Sequence, residues 1–204
     1  LHKEYRRQRQ MCIRDRGIDP PKSKHPRIDD GTLVPTSDLI SIFSSIPGSN
    51  YPYRHAIPRR REFSADEKDE HPRILPPEIG NAFGGLVPMV DSDGNEIGGI
   101  ISPEISVPVA AHTGWTLRHA DIGGEGQLLM FAGGTIPFPA TESDRLTTGD
   151  PRPSIEARYT NRDEYLSKVR ASAEALVSER YLLEIDIETS VSLGERMWDY
   201  FTGP

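Results

Sequence analysis

Two histidines, a tryptophan and an arginine stand within eight residues of one another in HTGWTLRH, residues 112 to 119. That mixture can move a proton, stack on a flat group and grip an anion. An imidazole titrates near neutrality, and a guanidinium presents a planar fork of donors to a carboxylate or phosphate. Gly114 places the cluster where a strand runs into a turn, and binding groups gather on loops held by a rigid scaffold. One reading has His112, Trp115 and Arg118, with Phe138 further along, lining a pocket. The other packs Trp115 under the glycine turn and uses Arg118 to satisfy backbone carbonyls, and residue types alone favour it.

Other chemistries are narrowed by what the chain does not spell. A serine nucleophile on a strained elbow reads Gly-x-Ser-x-Gly, with a base and an orienting acid later in the chain. That pattern is absent from all 204 residues, as are His-Glu-x-x-His and the phosphate-binding P-loop. By motif the chain is not a self-sufficient enzyme. Asp91, Asp93 and Asn95 superficially suggest a calcium loop, but Glu96 stands where the loop needs glycine, and Ser102 where it needs a bidentate glutamate. A turn is the expectation, with no metal and no cofactor. Gly123, Gly124 and Gly126 precede no helical pattern, so that passage reads as a loop.

The whole chain carries 24 basic and 31 acidic side chains. Its first stretch is unlike the rest. Residues 6 to 16, RRQRQMCIRDR, read back into codons, resemble the DNA adapter that transposases attach to fragment ends in library preparation. We therefore expect residues 1 to 16 to be an adapter-derived artefact and disordered, and set them aside before reasoning about the fold. The only cysteine, Cys12, falls within them. The remainder carries 18 basic against 29 acidic side chains. With no basic stripe alternating with aromatics, nucleic acid is not an expected partner. No apolar run reaches the roughly 18 residues of a membrane span. No compartment follows, although a body without thiols suits a secreted or periplasmic setting.

The elements that must hold the cluster follow from periodicity and punctuation. Residues 17 to 82 read as a Pro-rich irregular strap and a charged loop. Within them SDLISIF, Ser37 to Phe43, is a short helix capped by Ser37, and RRREFSADEKDEH, from Arg59, is a solvated mobile loop. From residue 83 order returns. The apolar runs around Ser92 to Asn95 read as a hairpin, and Val107 to Ala111 as a short strand. Asn161 caps a helix whose Leu166, Val169, Ala173, Leu176 and Val177 form an apolar stripe. After a break at Tyr181 to Leu183, a second helix runs from about Glu184 to Tyr200, with Leu193, Met197, Trp198 and Phe201 as an apolar cluster. The expected class is α+β: a β-hairpin, long Pro/Gly-rich loops and two C-terminal helices.

Five phrases carry a resemblance: PPKSKHPRIDDGTLVP, GLVPMVDSDGNEIGGI, VPVAAHTGWTLR, IPFPATESDRLTTGDPRPSIEARY and YLSKVRASAEALVSERYLL. Together they resemble, in order and spacing, the C-terminal part of the alpha/beta hydrolase domain family of bacterial proteins. The resemblance implies a parent with a doubly wound α/β core, a serine elbow and a later Gly-x-x-His. Both motifs would lie upstream of residue 17, as in a reading frame truncated in metagenomic DNA. It implies serine-type, esterase-like hydrolysis of a small ester substrate in the parent, and no catalytic residue in this segment. His112 is not promoted to the triad. The alternative is a free-standing, non-catalytic binding or interaction module.

Overall fold

In the computed structural model, the described residues are 17–52, 59–62, 78–83, 85–129 and 131–203. The arginine-rich segment 1–16 and the acidic run Asp66 to Glu70 lie outside them.

The chain enters through a turn in which Thr32 Oγ1 accepts from the Arg27 N–H (2.8 Å) and Asp30 accepts from the Thr32 N–H (3.0 Å). Strand β1, Leu33–Pro35, follows. A 3₁₀ turn at Thr36–Leu39 leads into helix α1, Ile40–Ser45. Ser37 is not its cap: Pro35 precedes the 3₁₀ turn with no capping side chain, and the Ser37 hydroxyl bonds to Asp38 instead. The amphipathic spacing nevertheless buries Leu39, Phe43 and Ile46.

Arg59–Glu62 forms β2, antiparallel to β3, Glu78–Ala82, with an irregular register between Arg59 and Arg61. The first four residues of the expected charged loop are therefore a strand. The expected hairpin around Ser92 to Asn95 shrinks to a single bridge between Val90 and Glu96. Its first arm, β4 at Leu86–Pro88, pairs with β1. Local turn chemistry was right, but a more distant strand took the ladder bonds.

A one-turn helix α2, Pro103–Ser106, precedes β5, which occupies Ala110–Thr113 rather than Val107 to Ala111. Val107 and Val109 are buried, so burial and not pairing explains their apolar character. Part of the glycine-rich passage read as a loop is β6, Gly134–Pro137, antiparallel to β5. Gly133 is required just before it, because a Cβ there would sit 2.5 Å from the Thr113 carbonyl oxygen.

Short helices α3, Glu142–Thr148, and α4, Ile155–Arg158, lead to two long ones, α5 at Arg162–Ser178 and α6 at Ile187–Thr202. Thr141 and Asp144 form a reciprocal capping box on α3. Asn161 caps α5 as expected, accepting from the Glu164 N–H at 2.9 Å. The Glu164 carboxylate is bonded by Lys168 and Thr160, which hold it down to about 2. Arg180, at φ 66, ends the helix in a left-handed turn. The buried stripe is Tyr165, Val169, Ala173 and Leu176. Gly194 on α6 lies directly over Val169, allowing the helices to close. Each large apolar side chain so buried contributes about 1.5–3 kcal/mol.

All three sheets among the described residues are two-stranded and antiparallel. Two apolar clusters hold the β1–β4 and β5–β6 pairs. One joins β5, β6, α4, α5 and α6 around Tyr165 and Phe138. The other gathers Leu39, Phe43, Ile46 and Val90 beneath the strap. The pairing of β1 with β4 crosses residue 83, and the Tyr181 hydroxyl donates to the Lys22 carbonyl, so strap and body are joined at both ends. Among the described residues no helix is long and apolar enough to cross a membrane.

Candidate functional site

β5 and β6 position the cluster. Their register sets His112 opposite Thr135 and Thr113 opposite Gly134. At the strand end the Thr113 hydroxyl donates to the Trp115 carbonyl (2.5 Å) and accepts from the Gly134 N–H (3.2 Å). This knot turns the chain and fixes where Trp115 leaves the sheet. The indole meets Phe43 (5.1 Å, 79°) and Tyr51 (5.6 Å, 88°) edge to face, and those two rings stack on each other at 5.6 Å. Offset and perpendicular contacts of this kind add about 0.5–1.5 kcal/mol per pair beyond area burial.

Asn95 secures the other edge. Fully buried, it donates from Nδ2 to the Ala110 carbonyl (3.2 Å) and accepts at Oδ1 from the His112 N–H (2.8 Å). Its side chain thus acts as one residue of a missing strand. Asp91 Oδ1 accepts from the N–H groups of Asp93 and Asn95 at 2.9 and 3.0 Å. Asp93 in turn receives both ends of the Arg158 guanidinium. The oxygens of the superficial calcium motif are therefore committed to a turn and an ion pair.

The His112 ring has Nδ1 3.4 Å from the Thr135 hydroxyl, while Nε2 is buried with no partner. Burial pushes its pKa below the ordinary imidazole value, opposed by the charge of Glu104. A triad base needs an acid on one nitrogen and a nucleophile on the other; among the described residues neither nitrogen is bonded to a carboxylate. Arg118 donates from Nε to the Gly123 carbonyl (2.7 Å) and from Nη2 to the Ile122 carbonyl (2.8 Å). The glycine-rich loop is wrapped over this guanidinium, which has no carboxylate partner among the described residues. His119 stands apart, exposed beside Asp121.

The residues of the cluster divide between two cavities and the packed core. His112 and Trp115 line a cavity of about 200 Å³ together with Phe43, Tyr51 and Val90. Trp115 and Arg118 line a neighbouring cavity of about 420 Å³ with Ser49 and Thr135. Phe138 sits apart from both, 3% exposed, with the Arg152 and Arg158 guanidinium carbons 4.9 and 4.3 Å from its ring centre. Arg152 is itself buried, paired with Asp150 at 2.7 Å and donating to the carbonyls of Ile136 and Pro137. Phe138 thus supports β6 from behind.

Sequence reasoning missed Phe43, Tyr51, Ser49 and Asn95. Asn95 had a signal, since a polar residue after a Gly turn between two apolar runs has to satisfy something. Phe43 and Tyr51 had none, because the Trp115 ring on which both close lies more than 60 positions away in the chain.

No curated protein and no solved structure matches this chain. A family model described as alpha/beta hydrolase domain matches residues 16–192. With the matched span running from β1 into the first turns of α6, the chain belongs to the alpha/beta hydrolase domain family.

Proposed function

We propose that this chain is the non-nucleophilic part of an enzyme that hydrolyses a small ester or related acyl bond, and that it walls the substrate pocket through His112, Trp115 and Arg118, with Phe138 as support. The observation carrying this reading is the state of His112. Among the described residues the ring's hydrogen-bond partner is the Thr135 hydroxyl, at 3.4 Å, and its other nitrogen is buried there without an acid to orient it. Serine attack, proton transfer and oxyanion stabilisation would then fall to residues upstream of this segment, in line with the absence of Gly-x-Ser-x-Gly from its sequence. The 204-residue chain is expected to hydrolyse p-nitrophenyl acetate no faster than buffer. Turnover that His112→Ala abolishes would contradict the proposal.

A free-standing binding module is the second reading, and the two closed apolar clusters favour it. Large apolar side chains left exposed, among them Ile79, Phe83 and Ile185, favour a segment that rests on more protein. Cooperative melting without binding of a hydrophobic dye would select the module.

A further inference from the structure

We propose that the two cavities sharing Trp115 form one bipartite site for a small monocarboxylate with an apolar tail, the tail in the aromatic cavity and the carboxylate in the cavity beside Arg118. The inference rests on the pocket role given above and names its ligand class: the acid that acyl hydrolysis releases.

Thr113 and Trp115 belong to both linings, so the cavities are neighbours across one indole. They differ in chemistry. Phe43, Tyr51 and Val90 make the smaller one mainly apolar, although Glu96 and His112 also line it, whereas Ser49, Asn50 and Arg118 give the larger one its polar groups. An amphipathic ligand is what such a pair accommodates, since specificity comes from a few placed polar groups in an apolar setting.

Charge selects an anion for the polar end. Arg118 is half-buried, its two hydrogen bonds among the described residues go to neutral carbonyls, and no carboxylate pairs with it there. A guanidinium with donors to spare matches a carboxylate. Glu125 lies on the same lining but is exposed, where solvent screens it.

A second observation points to the same place. Three side-chain polar atoms among the described residues are buried without a partner: Ser49 Oγ, His112 Nε2 and Tyr165 Oη. Tyr165 lies in the helical core, but Ser49 lines the larger cavity and His112 the smaller. Buried polar groups are nearly always bonded, so the orphaned Ser49 hydroxyl is a spare donor on the same lining as Arg118.

The test is an NMR titration of the full chain, following the indole N–H of Trp115, assigned by its loss in Trp115→Phe, with the Trp198 indole as control. Phenylacetate should shift Trp115 saturably, phenylethanol should bind about tenfold more weakly or worse, and acetate should not bind. Arg118→Gln should reduce phenylacetate binding to the level of phenylethanol, and Arg118→Lys should retain most of it. Equal binding of acid and alcohol by the unaltered chain would overturn the inference, as would no saturation below about 10 mM. Ester turnover by the chain would sink the proposed function and leave this inference standing; failure to bind would do the reverse.

Discussion

The two apolar clusters are built on different logic. The helical one is built from locally specified parts: capped helices, a stripe of Tyr165, Val169, Ala173 and Leu176, and the near-neighbour ion pair of Asp150 with Arg152. The strap cluster is assembled from afar, with Phe43 and Tyr51 closing on Trp115 and β1 reaching across to β4. Locally specified structure makes the platform, and long-range contacts make the pocket. The candidate site lies where they meet, on the β5–β6 hairpin whose Ile136 packs against both clusters.

The sharpest way to break the platform is Arg152→Ala. It strands the 5%-exposed Asp150 carboxylate and frees the carbonyls of Ile136 and Pro137. Removing one partner of a buried pair costs about 3–5 kcal/mol, so chemical denaturation should show loss of the whole molecule. Phe43→Ala breaks the pocket instead. Truncating a buried phenylalanine also costs about 3–5 kcal/mol, but the loss should appear as changed Trp115 fluorescence while the far-ultraviolet helical signal of α5 and α6 persists. If both variants melt identically by both probes, the clusters are one unit and the contrast fails.

That contrast also explains what was legible in the sequence. The Asn161 cap, the α5 stripe and the break before α6 are written within a few residues of where they act. The turn residues after β4 report only the turn and not its partner strand, and the glycines at 123, 124, 126 and 133 mask the four-residue strand β6 that follows them. His112, Trp115 and Arg118 were visible as residue types. Phe138 looked like a pocket wall because nothing in its neighbourhood reveals that two arginines enclose it.

A smaller change sharpens the same point: Asn161→Ala removes one helix cap and should cost about 1 kcal/mol in a urea titration, with no effect on Trp115. Acidification gives the smallest effect. Burial holds the folded-state pKa of His112 below its ordinary value, so folding favours the neutral ring. That contribution is present above the ordinary imidazole pKa of about 6.5 and is lost as pH falls from there toward the folded value. Asp150 acts in a lower window. Burial pushes its carboxyl up, but bonds from Arg152 prevail and leave it below the ordinary carboxylate value, so its contribution is lost only in strong acid. Thermal melts from neutral pH downward should therefore show an early decline that His112→Gln removes and a later one that it does not.

Intact mass spectrometry after treatment with a serine-reactive fluorophosphonate decides whether this chain holds a nucleophile, because the probe needs an activated one and no knowledge of the substrate. The 204-residue chain is expected to stay unmodified. A stoichiometric adduct that heat denaturation prevents would show that the chain carries its own nucleophile, and would contradict the assignment of catalysis to residues upstream.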